Sequence, residues 1–326
     1  MSQIVCLCQE DLLEARPLID NYPFLPYRQI EGLSRKALSE FLLAELRDIL
    51  TNGYVGVFKE AGGLKGIVSL KELPWDSNVF GLQMGRIAHL IGPSDYKESL
   101  SICNLLLAFI LQVSKEKGIR HLYLRVDTDD LALIHSVEEV GFRLMDSIVI
   151  SIFDLSWPLK SMSNQGIVIR AHQEGDLERV NQMANGLFNF GRFHTDPNLS
   201  DEKCNELYLK WIERDFQGYA DTILVSEIDG IVNGFVICLI DRDFELYFKK
   251  RLGVIDLVGV SRQAQGRGVG SLLLNSALKW FKEERVDLVK AGTMIKNYQA
   301  IRIYQKTGFK IVGTNFSFHK WLGWKD

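Results

Sequence analysis

Residues 254–270 read VIDLVGVSRQAQGRGVG, and the fold of the second half of the chain hangs on them. Val254–Val260 is a short apolar, β-branched run, which predicts a strand. Ser261–Gln265 is polar, glycine then occupies positions 266, 268 and 270, and Val269, Leu273, Ala277 and Phe281 recur on one helical face. Strand, glycine-rich loop and helix in that order suit an anion. Glycines let backbone N–H groups converge without a Cβ in the way, and the helix dipole adds a favourable potential behind them. Arg262 and Arg267 add positive charge. The spacing excludes a G-x-x-x-x-G-K-[ST] loop. It also excludes the dinucleotide fingerprint, which follows the first strand of a βαβ unit and not a late strand of a mostly antiparallel meander.

Working outward, a strand is expected at Ile167–Arg170 and a helix after Asp176, whose carboxylate should accept from the first-turn N–H groups. A second helix should run from Asp201 to about Gln217, with Cys204, Leu207, Tyr208, Trp211 and Ile212 on one face. Strands follow at Thr222–Glu227 and Ile231–Ile240, joined by the tight turn Asp229-Gly230. After the glycine loop come a strand at Leu288–Gly292, a helix at Asn297–Lys306 closed by Gly308, and a final strand pair within Phe309–Phe318. The fold class is therefore α/β, with mixed, mostly antiparallel twisted sheets flanked by helices.

The first half repeats this pattern. The stretch ending at Gly141-Phe142 parallels the one ending at Gly308-Phe309, and Tyr54–Val57 with Gly66 parallels Thr222–Val225 with Gly234. The offset is close to half the chain, so this is a duplicated domain, unlike a solenoid with its period of roughly 20–50 residues. The polar stretch Leu159–Gly166 is the natural linker, giving domains at residues 1–160 and 166–326. Under this offset Asn297 falls opposite Asp130 and Tyr304 opposite Val137, and Ile91–Lys97 has no glycine series. The first copy has lost its anion cradle, so chemistry is expected in the second.

Composition narrows the class further. With 326 residues, 47% of them apolar and a net charge of −3, the chain has material for two cores and no global field for nucleic acid or an anionic membrane. The longest apolar run, Ile102–Val113, is interrupted by Asn104 and Gln112 and is shorter than the ~20 residues of a span. With no leader-like N-terminus, a cytoplasmic protein is expected. The five cysteines, Cys6, Cys8, Cys103, Cys204 and Cys238, read as reduced thiols, and Cys6-x-Cys8 lacks a second pair for zinc. No histidine spacing suggests a metal.

Val258-Gly259-Val260 followed by Gln265–Gly270 resembles the acetyl-CoA signature Q/R-x-x-G-x-G/A of the GCN5-related N-acetyltransferases (GNAT). Asn297, Ala300, Tyr304 and Gly308-Phe309 are similar to that family's N-x-x-A-x-x-x-Y-x-x-x-G-F segment, so the resemblance covers residues 167–326 with its motifs in order. It implies two tandem GNAT-like domains, the N-terminal one degenerate. It implies that the amides of Gln265, Gly266, Arg267, Gly268, Val269 and Gly270 hold the pyrophosphate of acetyl-CoA. It further implies that the strand end at Val258 and Val260 pairs with pantetheine, that Asn297 contacts the cofactor arm, and that Tyr304 protonates the departing thiolate. Those roles agree with the chemistry. The amine must attack as the free base, charge developing on the thioester oxygen needs aimed N–H groups such as that of Val260, and a phenol of pKa near ~10 is protonated at neutral pH.

The first-half stretch Leu73–Gly81, LPWDSNVFG, and the later Phe190–His194 and Trp211-Ile212-Glu213 resemble members of that family acting on the amine of a nucleotide-linked 4-amino-4,6-dideoxy sugar. Val79 and the missing serine before Arg192 depart from their pattern, which bears on the sugar and nucleotide more than on the reaction. Arg192 is a candidate for a substrate phosphate, Phe193 for stacking on a base or sugar, and Trp75 for a nucleotide edge. His194 and Asp256 are candidate bases, alongside water alone. The expected activity is direct acetyl transfer from acetyl-CoA to a small amine of amino-sugar-nucleotide type, without a metal. The alternatives are another small amine, a protein N-terminus, or a non-catalytic acyl-CoA sensor. Oligomeric state is not legible.

Overall fold

The computed structural model describes residues 3–7, 10–162 and 166–323. Cys8 and positions 163–165 of the predicted linker lie outside the described residues. The chain forms two compact units, one made of residues 1–147 with 314–326, the other of residues 148–313. These boundaries differ from the linear division at 160/166, because the last strand of each half belongs mainly to the unit of the other half.

The first unit contains β1 (Gln3–Cys6), α1 (Arg16–Asn21), α2 (Arg35–Asn52), β2 (Tyr54–Glu60), β3 (Gly63–Glu72), α3 (Pro74–Phe80), β4 (Met84–Ile91), α4 (Tyr96–Glu116), β5 (His121–Asp127) and α5 (Leu131–Glu139), followed by the opening residues of β6 (Arg143–Asp154). Its strand order is β1-β2-β3-β4-β5, completed by the C-terminal strand β12 (Lys310–Trp321). Residues 315–321 of β12 pair antiparallel with β5, from Asn315–Asp127 to Trp321–His121. One helical stripe of α4, Ile102, Cys103, Leu106, Leu107 and Ile110, packs into the core with Leu122, Leu124 and Phe318. The helix is longer than its apolar run, 21 residues, and by length and composition alone would suffice for a span. The apolar stripe is what buries it here.

The second unit contains the rest of β6, then β7 (Val168–Ala171), α6 (Asp176–Ala184), α7 (Arg192–Thr195), α8 (Asp201–Arg214), β8 (Thr222–Ile228), β9 (Ile231–Asp241), α9 (Arg242–Phe248), β10 (Leu252–Val260), α10 (Val269–Glu283), β11 (Leu288–Met294) and α11 (Tyr298–Thr307). The strand order is β6-β11-β10-β9-β8-β7, antiparallel except for β10 beside β11. One sheet face carries α10 and α11, with Val269, Leu273, Ala277, Phe281 and Tyr304 in its core. The other carries α6 and α8, with Val180, Ala184, Tyr208 and Ile212. Gly253 permits the first packing, since a Cβ there would stand 2.5 Å from the Phe281 ring.

Several local expectations are corrected. Asp176 opens α6 but does not cap it: its carboxylate pairs with the Arg170 guanidinium at 2.7 Å and accepts from the Gln173 N–H, the stronger charge-assisted partner winning. A helix, α9, stands between β9 and β10, capped by Asp241. Helix α8 ends at Arg214 and passes into one wide turn, Asp215–Tyr219, with Gly218 at φ 100°. Residues 310–321 form one continuous strand where a pair was expected. The Asp229-Gly230 turn has φ of 50° and 75°, as a hairpin with both central residues left-handed requires.

Candidate active site

Strands β10 and β11 pair in parallel from Leu252–Leu288 to Ile255–Ala291, and no further. Beyond that point β10 keeps its ladder with β9 only, so its last residues, Leu257–Val260, border an opening. The Ser261 N–H donates to Asn233 O on β9. By the two-residue alternation of an antiparallel ladder, the N–H groups of Val258 and Val260 therefore face the side from which β11 has parted. The cleft in this wedge is lined by Val258, Gly259, Val260, Gln265, Gly270, Asn297, Ala300, Ile303 and Tyr304, with Leu187, Phe188 and Phe190 on its other wall.

The floor of the cleft ends at α10, whose N-terminus differs from those of its neighbours. Helices α8, α9 and α11 are capped by the side chains of Ser200, Asp241 and Asn297. Helix α10 has Gly268 at its N-cap, no side-chain cap and no acidic residue in its first turn. Gly266 and Gly268 lie at φ 78° and 86°, and nothing stands within 4 Å of where a Cβ would be. First-turn N–H groups without a side-chain acceptor, beside an open glycine cradle with Arg267 exposed on it, fit a pyrophosphate. In the first unit the corresponding helix, α4, is capped by Asp95, which accepts from the Glu98 N–H at 2.9 Å, and Glu98 adds a second negative charge. The Asp95 carboxylate takes a first-turn N–H that an anion would need, and Glu98 is paired with Lys65 at 2.9 Å.

Tyr304, on α11, is 4% exposed and packs against Phe309 with ring centroids 5.4 Å apart. It also lines the cleft, and burial alone pushes its phenol above the ordinary tyrosine range, so it is protonated at any physiological pH. The Asn297 Oδ1 accepts from the Ala300 N–H at 3.2 Å, which orients its remaining amide N–H donors. The Gln265 Nε2 donates to Val260 O at 3.2 Å and ties the loop to the strand end.

Asp256 lies where the β9–β10 register shifts, between Ile255 and Leu257. Such a bulge re-aims a side chain, and Asp256 reaches α8, where its Oδ2 accepts from the Trp211 indole N–H at 2.7 Å. Burial raises its pKa, against the pull of Trp211, Arg214, Asp215 and Lys290. Beside it stands Asp215, whose side chain is fully buried and bonded by Arg214 at 3.0 Å. Burial pushes Asp215 up to about 6. Sequence reasoning missed Asp215. Its signal was positional: the apolar face Cys204, Tyr208, Trp211 continues at the next helical step onto position 215, which carries a carboxylate.

Aromatic rings line the same helix. Tyr208 stacks on Trp211 (6.1 Å, 7°), on Phe188 (5.1 Å, 19°) and on His194 (6.1 Å, 23°). The His194 Nε2 meets Asn205 Oδ1 at 3.2 Å, so that nitrogen carries the proton and Nδ1 is the acceptor in the neutral ring. Phe193 corrects its expectation. It is 5% exposed and covered by the Arg192 guanidinium at 4.0 Å, so its ring is not available to stack on a base or sugar. Trp75 belongs to the first unit, in α3. The other sequence-derived candidates lie in the second unit.

The acetyltransferase (GNAT) family model matches residues 189–309, the segment that carries this wedge, cradle and helix. Residues 189–309 form an acetyltransferase domain of the GNAT type, and the protein is an N-acetyltransferase. Among proteins similar to this acetyltransferase is the spore coat polysaccharide biosynthesis protein SpsD of Bacillus subtilis (strain 168), 25% identical over 305 residues, which are 91% of this chain and 98% of SpsD. The dTDP-fucosamine acetyltransferase of Escherichia coli O6:H1 is 24% identical over 189 residues, 57% of this chain and 75% of that enzyme. A GCN5-related N-acetyltransferase of Sphaerobacter thermophilus has a similar fold, with a TM-score of 0.68 at 14% identity over 98% of this chain and 95% of its own. GNAT acetyltransferases use acetyl-CoA as donor, and the cleft has the charge and backbone pattern that such a donor requires.

Proposed function

We propose that this enzyme transfers acetyl from acetyl-CoA directly to the amine of an amino-sugar nucleotide of the TDP-4-amino-4,6-dideoxyhexose type, in a ternary complex. The observation that carries the transfer chemistry is the parting of β10 and β11 after Ile255–Ala291, in line with the uncapped N-terminus of α10. The amides of residues 265–270, with Arg267, hold the pyrophosphate. Val258 and Val260 offer backbone N–H groups to the pantetheine arm and to charge developing on the thioester oxygen. Asn297 holds the arm through its amide. Tyr304 gives the departing sulfur its proton, and Asp256 takes one from the acceptor ammonium.

Support for the acceptor class comes from the relatives. One is named for a polysaccharide pathway and the other for the acetylation of a nucleotide-linked amino sugar. Arg192, on α7, stands beside the wall formed by Tyr208 and His194 and is the cation we assign to the nucleotide phosphates. The degenerate first domain, in this reading, binds no donor, since its α4 terminus is acidic.

The deciding experiment is free-thiol release from acetyl-CoA, with product mass, on enzyme given TDP-4-amino-4,6-dideoxygalactose beside spermidine and an aminoglycoside. Turnover of the sugar nucleotide alone supports the reading. Turnover only of the other amines overturns the acceptor and leaves the donor. Tight acetyl-CoA binding with no release from any of them would favour a sensor.

A further inference from the structure

We infer that the ring of Phe188 sets the acyl length this enzyme accepts: with Leu187 it closes the far side of the wedge, admitting acetyl and excluding propionyl and longer groups. This assignment rests on the acetyl-CoA reading above and adds a residue outside the glycine cradle and the Asn297–Phe309 segment.

The cleft at the parting of β10 and β11 is lined from both faces of the sheet. On the α10 and α11 side stand Val258, Val260, Ile303 and Tyr304, which belong to the core of that face or pack on it. On the other side stand Leu187 and Phe188, and Phe188 packs on the core beneath α6 and α8. A missing side chain sets their seat. Gly259 pairs with Phe235 in the β9–β10 ladder, and a Cβ on Gly259 would stand 2.6 Å from the Phe235 ring and 2.9 Å from Leu187 Cδ2. Both side chains therefore lie directly on the strand.

Phe188 is held from two sides. It stacks on Tyr208 at 5.1 Å and 19°, and meets Phe235 edge-on at 6.3 Å and 70°. Tyr208 is confined in turn, since a Cβ on Gly191 would stand 2.7 Å from its hydroxyl oxygen and 3.0 Å from Met294 Cε, at the end of β11. These rings and Leu187 form a roof that reaches from Gly259 on the β10 side of the opening to Met294 on the β11 side. Swinging Phe188 aside would break both of its ring contacts, and a packed wall yields to an added methylene only at a cost.

The direction of the donor makes this roof a stop. Its pyrophosphate is assigned to the α10 N-terminus and its sulfur to Tyr304, so the arm runs in along Val260 and Val258. The acyl group then points away from α10 and α11, at Leu187 and Phe188. An acetyl methyl ends at the ring. Each further methylene must displace the ring or pull the thioester carbonyl away from the strand-end N–H groups, and one methylene in such a pocket is worth about 10–200-fold in discrimination.

The test compares acetyl-, propionyl- and butyryl-CoA on the full chain, by calorimetric affinity and by single-turnover transfer. The parent should prefer acetyl-CoA to butyryl-CoA by about 10²-fold or more in transfer, and by about tenfold in affinity. Phe188→Ala should raise butyryl relative to acetyl about tenfold or more in both readouts, with acetyl-CoA affinity close to that of the parent. Phe188→Leu keeps an apolar side chain on Tyr208 should the alanine variant fail to fold, and it should admit propionyl before butyryl. A butyryl-to-acetyl ratio unchanged in the folded variants overturns the inference, as does a parent that uses butyryl-CoA as well as acetyl-CoA. An altered acceptor KM with the acyl ratio unmoved also overturns it and makes the ring an acceptor contact. The affinities need no acceptor, so failure of the sugar nucleotide leaves the acyl ratio readable. A parent that binds none of the three thioesters refutes the donor reading, and the role of Phe188 falls with it.

Discussion

Replacing Tyr304 by phenylalanine isolates one oxygen atom. The ring is 4% exposed and packed on Phe309, so the aromatic core is retained in the variant. Burial is the cause of its raised pKa, so the substitution takes a buried hydroxyl out of an apolar surrounding. Stability should therefore change by less than about 1 kcal/mol, in either direction, by thermal or urea unfolding. The proposed role predicts a much larger kinetic effect. Loss of a positioned acid costs about 10²-fold or more in the chemical step, roughly 3 kcal/mol of barrier. Because product release can mask chemistry, the assay is single-turnover acetyl transfer with excess enzyme, beside a calorimetric acetyl-CoA affinity. A single-turnover rate within twofold of the parent, in a folded variant with normal donor affinity, removes Tyr304 from the mechanism. A loss of donor affinity equal to the loss of rate would instead make the hydroxyl a binding group.

The glycine cradle gives a second expectation: Gly268→Ala forces an L-residue to φ 86° at the α10 N-cap, which costs about 1–2 kcal/mol and should weaken acetyl-CoA binding about tenfold in a calorimetric titration. Asp215 gives a pH-dependent one. Its pKa is about 6 in the fold against about 3.9 unfolded, so between pH 4 and 6 the native state binds more protons than the unfolded state. Stability therefore falls as pH rises through that window, by about 3 kcal/mol, and Asp215→Asn should be the more stable protein at pH 8 and lose that advantage at pH 4. In the first unit, Arg28 grips Asp127 with two bonds of 2.9 Å, so Arg28→Ala should lower stability by about 1–3 kcal/mol in urea while acetyl-CoA affinity is unmoved.

The glycine cradle was legible because it is local, whereas Tyr304 was singled out through the family resemblance and the parting of β10 and β11 was not foreseen. Glycine at alternate positions between an apolar strand and an apolar helix specifies itself within the stretch Val254–Phe281. What the sequence did not show are the features made by distant segments. Asp215 and Asp256 lie on separate elements, and only the bulge at Asp256 turns that side chain toward α8. Trp211 read as one more apolar position on a helical face; its indole N–H needed a partner in the buried region and found one 45 residues away. The membership of β12 was hidden for a similar reason. Its alternation predicts a strand but carries no label for its neighbour, and His319 on β12 meets His121 across 198 residues at 3.0 Å. A cut at the polar linker was reasonable on composition, yet it separates strands that the ladders join.

The two units share a frame and differ in a few side chains at matching positions. Both retain a parallel pair that opens early, β4 with β5 ending at Arg86–Tyr123 and β10 with β11 ending at Ile255–Ala291. In the first unit that end is occupied by its own chain. The Tyr22 hydroxyl donates to Asp130 at 3.0 Å, and Arg28 and Gln29 bind Asp127. Asp130 is the residue that falls opposite Asn297, so a carboxylate stands where the second unit has an amide with N–H donors. On the proposed reading, that change takes donors from the cofactor arm, and the Asp95 cap takes them from the phosphates. Restoring one without the other should not restore binding, because each acts on a different part of the donor. A first-unit variant with Asp95→Gly and Glu98→Gln should therefore still show one acetyl-CoA site per chain by calorimetry. A second equivalent site in that variant would mean that the α4 terminus alone had kept the first unit empty.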